Sequence, residues 1–259
     1  MLPSSTALRQ RGGRSATVPV DRQEPRAQSP MPVSPAAPPS TRAALAVLFE
    51  RSNFHAFQKP GAPSHYWAPL ISACAGARRD EIFFLTPDDI QVIEGAYFFR
   101  LRAAAGSRHG GPAAPVRLVP VHPLLMRLGL SDFVEERRQR HPQERLFSEY
   151  KAGQEHAGLL FSRAFVQWIR STAARLPEER RHLFADDFHF PSLRALFAVG
   201  ARRVGVSETV ARAIRNTEGR TETLADEERQ WCARAVAEMA RIEIETCFPP
   251  LFPYRELMA

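Results

Sequence analysis

Arg78 is a residue whose type and position could support chemistry, because it follows directly on an apolar segment. That segment opens the stretch His65–Ile82, HYWAPLISACAGARRDEI. Its large apolar residues recur at helical spacing: Trp67, Leu70, Ile71 and Cys74. Gly76 lies in the small-residue turn that ends the run, as glycine commonly does beyond a helix. An arginine fixed at such a junction can hold a phosphate, and the alternative is a surface ion pair with Glu81 or Glu50.

The elements around this junction predict an α+β, mainly α chain: a helical bundle with a small antiparallel three-stranded sheet. The predicted strands are Ile90–Ile93, Tyr97–Arg102 and Val116–Val121, with a tight turn at Glu94-Gly95. An expanded hairpin loop, 103–115, separates the second and third strands. Four arginines cluster on or beside that loop: Arg100, Arg102, Arg108 and Arg117.

Helical periodicity covers most of the remaining chain. A short helix is expected after Arg78, through Leu85, next to the central helix. The other predicted helices are Arg42–Arg51, His122–Arg140, Leu159–Thr172, Pro191–Val204, Ser207–Asn216 and a last one from Asp226 or Glu227 to about Glu243.

Composition favours an anionic partner. The 259 residues carry a net charge of +7 and have a pI near 10.0, which suggests nucleic acid. No apolar run approaches membrane-spanning length and no apolar leader opens the sequence, so we expect a cytoplasmic protein without membrane contact. The spacing of Cys74, Cys232 and Cys247 fits neither a metal site nor a redox motif, so buried thiols, no metal and no cofactor are expected.

The chain divides by composition into two parts. Residues 1–40 are rich in Pro, Ser and Arg and nearly free of large apolar side chains, which predicts a disordered basic arm. Such an arm could contact nucleic acid or simply solubilise the protein. Residues 41–259 are the predicted folded domain, and it ends in the proline-rich tail Cys247–Ala259.

Three blocks in this order resemble the catalytic domain of tyrosine recombinases, the phage integrase family. They are YWAPLISACAGARRDEI (66–82), VRLVPVHPLLMRLGLSDFV (116–134) and SLRALFAVGARRVGVSETVARAI (192–214). The resemblance extends from about Ala44 to Tyr254. It implies a tyrosine-recombinase-like fold and a role in DNA integration or recombination.

Members of that family cut one DNA strand by attack of a tyrosine on the scissile phosphate. Two arginines neutralise the developing charge, and a lysine and a histidine act as general acids. The resemblance places the two arginines at Arg78 and Arg194, which should converge on one concave, positively charged pocket. For Arg194 the alternative is a buried pairing with an acidic residue.

The other catalytic positions depart from the family pattern. Pro191 replaces the histidine three residues before Arg194, although His189 lies nearby. No lysine occurs between Lys59 and Lys151, and an arginine such as Arg102 holds its proton too tightly to act as the acid.

The nucleophile position falls near Leu224, and the next tyrosine along the chain is Tyr254. Tyr254 is a candidate nucleophile, the alternative being a tail aromatic that docks on the core. His189 is a candidate acid, the alternative being a loop histidine beside Phe188 and Phe190.

The resemblance therefore implies a degenerate family member that binds DNA without cleaving it. Binding is expected to be weak, salt-sensitive and mostly phosphate-mediated. The predicted DNA-contacting residues are Arg78, Arg194, Arg102, Arg108, Arg212 and Arg215.

Two further hypotheses stay open beside an active recombinase that uses Tyr254. The segment VGVSETVARAIRN (204–216) resembles a helix-turn-helix, whose basic residues would reach base edges or phosphates. Alternatively, the chain is a helical interaction or regulatory protein. Its partner would be an intact recombinase or a second copy of itself.

Overall fold

The computed structural model describes residues 39–102, 116–150, 157–184, 188–206 and 226–258. Most residues in these ranges are helical. A small sheet lies between the fourth and fifth helices in chain order. The α-helices are α1 Pro39–Leu48, α2 Arg51–Phe57, α3 Ser64–Ala75, α4 Arg79–Phe83, α5 Pro123–Arg127, α6 Leu130–Arg140, α7 Ala157–Arg175, α8 Glu178–Arg181, α9 Phe190–Arg203, α10 Asp226–Arg241 and α11 Tyr254–Met258. Short 3-10 helices occupy Pro87–Asp89, His182–Phe184 and Ile244–Cys247. The predicted mainly helical α+β class is confirmed.

The sheet is antiparallel and three-stranded, with β1 Ile90–Ile93, β2 Ala96–Arg102 and β3 Val116–Pro120 in the order β1-β2-β3. The first hairpin turns at Glu94 and Gly95, whose φ angles are 49° and 79°. Two successive positive φ angles are typical of a type I′ turn, whose twist matches that of the flanking strands. The predicted strands and turn are thus confirmed to within a residue at each end.

Helix α3 is the centre of the described fold, because every one of its residues is buried. Helices α4, α5, α7 and α9 all pack against it. A helix that is apolar on all sides needs neighbours on all sides, since exposed apolar surface costs free energy. The helix predicted from the apolar spacing is therefore confirmed as the element around which the others assemble.

Aromatic side chains fill the space between α2, α3 and α7. Trp168 stacks on Phe57 with ring centroids 4.3 Å apart, and its indole N–H donates to the carbonyl of Asn53. Phe161 and Phe165 of α7 are fully buried and extend this cluster toward Phe190, the first residue of α9. Burial of such large rings contributes much of the hydrophobic free energy of folding.

The structure corrects several of the sequence predictions. The helix expected over His122–Arg140 is two helices, because Gly129 between them has a φ of +92° and interrupts the helical path. Helix α1 starts at Pro39, so it includes the last two residues assigned to the arm. Cys247 is half-buried rather than buried, whereas Cys74 is fully buried.

The C-terminal segment, predicted as a proline-rich tail, packs on the core. It contains α11 and buries Phe248 and Leu257 in the core. A hydrogen bond from the hydroxyl of Tyr66 to the carbonyl of Phe252 ties it to α3. The aromatic and aliphatic residues of this proline-rich segment therefore supply its packing on the core.

Some predictions fall on residues that the structure does not describe. They are the basic arm up to residue 38, the hairpin loop 103–115, and 207–225 with most of the helix-turn-helix candidate. In the described ranges, no helix has both the length and the apolar character that crossing a membrane requires.

Candidate functional site

The turn between α3 and α4 forms the base of the candidate site. Gly76 ends α3 in the left-handed conformation, with a φ of 60°, and its N–H donates to the carbonyl of Ser72. The Ser72 hydroxyl donates to the carbonyl of Ala77, so the buried turn satisfies polar groups within itself. Arg78 follows in an extended conformation and is the N-cap residue of α4.

Glu81 holds Arg78 in place from within α4. Its carboxylate is buried and accepts the backbone N–H of Arg78 at 2.6 Å. The guanidinium of Arg78 also approaches this carboxylate, with Nη1 3.5 Å from Oε1. The predicted alternative of an Arg78–Glu81 pair is therefore present, and it fixes both the backbone and the side chain of Arg78.

Arg117 on β3 approaches the same carboxylate from the sheet. Its Nε donates to Oε1 of Glu81 at 3.1 Å and its Nη2 to Oε2 at 2.6 Å. Both side chains are almost fully buried, at 3% and 1% exposure. Arg117 follows the hairpin loop closely in the sequence, and its side chain lies inside the fold.

Arg194 reaches the same turn from α9. Its Nε donates to the carbonyl oxygen of Gly76 at 2.9 Å, across 118 residues of sequence. Helix α9 packs closely here: a Cβ added to Gly76 would lie 2.9 Å from the ring of Phe197. The structure thus brings Arg194 to the turn that directly precedes Arg78.

His189 lies at the start of the helix that carries Arg194. It is the N-cap residue of α9, is exposed, and donates its backbone N–H to the hydroxyl of Ser192 at 3.1 Å. The predicted alternative is a loop histidine, and in the structure His189 directly precedes α9 as its N-cap residue.

Tyr254 lies at the other end of α3. Its ring packs against Tyr66 and Trp67, with centroids 5.2 and 5.4 Å away, and its N–H donates to the carbonyl of Leu128. Trp67 is in the first turn of α3, and the eight residues from there to Ala75 span about 12 Å along the helix. Tyr254 therefore does not join Arg78 and Arg194 in this structure. Its position is that of a tail aromatic docked on the core, which was the predicted alternative.

The surroundings of Tyr254 also disfavour a nucleophilic role. Burial, with a smaller contribution from the charge of Glu136, raises the pKa of its phenol to about 12. A nucleophilic tyrosine must lose its proton during attack, and a raised pKa makes that loss harder.

Arg102 is held at the end of β2. Its Nη2 lies 2.6 Å from both carboxylate oxygens of Asp89. Asp89 is buried and also accepts the N–H and the hydroxyl of Thr86. The whole side chain of Arg102 is 43% solvent-exposed. The pairing with Asp89 therefore anchors Arg102 at the surface of the sheet.

The buried histidines near α3 use both ring nitrogens within the fold. In His122, Nδ1 accepts the N–H of Leu124 and Nε2 donates to the carbonyl of Ile242. In His65, Nδ1 donates to the carbonyl of Phe57, and burial lowers its pKa. Neither ring is placed as a general acid beside the arginines.

Several predicted site residues lie outside the ranges that the structure describes: Arg108, Arg212, Arg215 and the nucleophile position Leu224. Among the residues that are described, no group of histidine, cysteine, aspartate or glutamate side chains could hold a metal ion.

Sequence reasoning missed the role of Arg117 and the shared use of Glu81. The signal that could have found Arg117 is the alternation in β3, where Arg117 and Val119 share the buried face. An arginine at an inward-facing strand position predicts a buried acidic partner, because an unpaired buried charge is costly.

Comparisons with protein-family models, with curated proteins and with solved structures found no match for this chain.

Proposed function

We propose that the chain binds DNA through the phosphates of the DNA backbone, as a catalytically degenerate protein of the phage integrase type. The proposed site is the junction of α3 and α4, which Arg78 follows and Arg194 contacts. The observation that carries this proposal is the bond from Arg194 to Gly76, two residues before Arg78. This bond brings an arginine from a distant part of the sequence to the turn that Arg78 follows, and guanidinium donors are suited to a phosphate oxygen.

The helix end itself could explain the position of Arg194, because an arginine commonly satisfies carbonyls at a helix C-terminus. That role engages Nε, one of the five N–H donors of a guanidinium. The net charge of +7 supports an anionic partner over a neutral one.

The proposed role is binding without strand cleavage. Tyr254 packs on Tyr66 and Trp67, at the end of α3 far from the turn that Arg78 follows. Phosphate binding by arginine requires no nucleophile, so it could persist where the catalytic positions have been replaced. The proposed process is DNA integration or recombination, in which such a protein would occupy DNA or pair with an intact recombinase.

The test is fluorescence anisotropy with a short labelled duplex. Arg78→Ala and Arg194→Ala should each weaken binding about tenfold and reduce the slope of log K against log salt by about one, as expected for one lost phosphate contact. Arg140→Ala is the matched control, since it removes the same charge from an exposed arginine paired with Glu136. It should change affinity by less than about twofold.

Two results would contradict the proposal. If Arg140→Ala weakens binding as much as Arg78→Ala, attraction is spread over the surface and the junction is not a site. An affinity that is unchanged between about 50 and 200 mM salt would exclude phosphate-mediated binding. The alternative of a helical interaction protein would then be favoured.

A further inference from the structure

We propose that Glu81 and Arg117 form a buried positioning pair that sets the direction of Arg78 toward its phosphate. This inference rests on the proposed function, because it assigns a role to residues behind the phosphate-binding arginine rather than to a second site. Neither member of the pair is proposed to touch DNA.

The geometry connects the pair to Arg78 at two points. Oε2 of Glu81 accepts the backbone N–H of Arg78 at 2.6 Å, and the same oxygen accepts Nη2 of Arg117 at 2.6 Å. Oε1 lies 3.1 Å from Nε of Arg117 and 3.5 Å from Nη1 of Arg78. Arg117 therefore locks the rotamer of the carboxylate that holds both the backbone and the guanidinium of Arg78.

The pair is a costly way to fill the core. Both side chains are nearly fully buried, and Nη1 of Arg117 has no hydrogen-bond partner. Removing two charges from water carries a large desolvation penalty, and replacing such a pair by apolar residues is often neutral or stabilising. A buried N–H without an acceptor adds to that cost. The pair is therefore better explained by the orientation it imposes than by stability.

Position is what a phosphate site needs most from its supporting residues. A guanidinium contributes fully only when its N–H donors point along the oxygen lone pairs, so a small rotation of the Arg78 backbone weakens the contact. Glu81 prevents that rotation from one side, and its bond to β3 through Arg117 makes the support rigid.

Two double variants separate positioning from packing. Glu81→Leu with Arg117→Met removes the pair and the acceptor for the Arg78 N–H. Glu81→Gln with Arg117→Met also removes the ion pair but keeps an amide oxygen that can accept this N–H. Each double variant preserves the net charge of the protein, so long-range attraction to DNA is the same in both.

We expect the Leu/Met variant to bind the labelled duplex about tenfold more weakly than the Gln/Met variant, the loss that one hydrogen bond can produce. Their melting temperatures should be similar. Hydrogen exchange of the Arg78 amide, measured by NMR, should be slow in the unmodified protein and in the Gln/Met variant. It should be fast in the Leu/Met variant.

Equal DNA affinities for the two variants, with Arg78→Ala still damaging in the unmodified protein, would overturn the positioning role and leave the proposed function standing. If Arg78→Ala has no effect, the proposed function fails and this inference fails with it. Should neither double variant fold, the unmodified protein still decides. Rapid exchange of its Arg78 amide would contradict the bond to Glu81, and slow exchange would support it.

Discussion

The arginines of this fold differ in what holds them. Arg102 and Arg117 each meet a buried carboxylate, which offsets their charge locally. Arg194 donates from Nε to the backbone carbonyl of Gly76, which orients its guanidinium at the turn. At the scale of single residues, Arg194 is therefore held at the turn between α3 and α4, and Arg102 at the end of β2.

Tyr254 leads to a prediction about chemistry. We expect the protein to form no covalent adduct with DNA suicide substrates, which trap phosphotyrosyl intermediates. Its ring is packed against Trp67 at the far end of α3, and its pKa is raised to about 12. A displacement of about 1 Å can reduce a reaction rate on the order of a hundredfold, and the distance here is much larger.

The control for that experiment is Tyr254→Phe, which keeps the ring and removes the hydroxyl. An adduct that forms with the natural chain and is absent from this variant would show that Tyr254 is the nucleophile. Such a result would require Tyr254 to leave its position on α3, or a neighbouring copy to supply it.

At the scale of elements, the contact between α3 and α9 depends on the absence of a side chain at residue 76. Gly76 has a φ of 60°, and an added Cβ would lie 2.9 Å from the ring of Phe197. We expect Gly76→Ala to lower the free energy of unfolding by about 2 kcal/mol or more. About 1–2 kcal/mol of this comes from the left-handed backbone, and overpacking adds the rest.

Gly61→Ala separates these two costs. Gly61 has a φ of 75°, but nothing lies within 4 Å of its added Cβ. Gly61→Ala should therefore lower the free energy of unfolding only by the cost of the left-handed backbone, about 1–2 kcal/mol. Urea denaturation of both variants measures the difference, and equal losses would show that Phe197 moves aside without cost.

The elements were largely predictable because their signals are local. Helical spacing predicted α3, and the Glu94-Gly95 turn predicted the first hairpin. The break at Gly129 was missed because one glycine within a periodic helix pattern is compatible with either outcome. Whether it interrupts the helix is decided by how α5 and α6 pack.

The candidate site was less predictable because its contacts are distant in sequence. Helical spacing alone places no residue of α9 at the end of α3, and the expectation that Arg194 lies near Arg78 came from a resemblance. The pairing of Glu81 with Arg117 spans 36 residues. Strand alternation places Arg117 inside but does not say which acidic residue it meets.

For the whole molecule, charge outside the described fold leads to a prediction about affinity. Residues 1–38 contain five arginines against Asp21 and Glu24. Deleting these residues preserves α1, which begins at Pro39. The deletion should weaken DNA binding and flatten its salt dependence more than Arg78→Ala does, because each lost phosphate contact removes about 0.9 from the slope.

The comparison is made by anisotropy across a salt titration, with circular dichroism to confirm equal helix content. A truncated protein that retains the affinity and salt slope of the full chain would show that the arm does not contact DNA. The arm would then be explained as a solubilising segment.

The hydrogen bond between Tyr66 and Phe252 has a consequence during synthesis. The two residues are 186 positions apart. Ribosomes add about 5–20 residues per second, so Phe252 is synthesised about 10–40 s after Tyr66. During that interval Tyr66 and Trp67 belong to a nascent chain whose central helix is incompletely covered. We expect ribosome-associated chaperones to bind the nascent chain at α3, a helix whose residues are all buried in the finished protein.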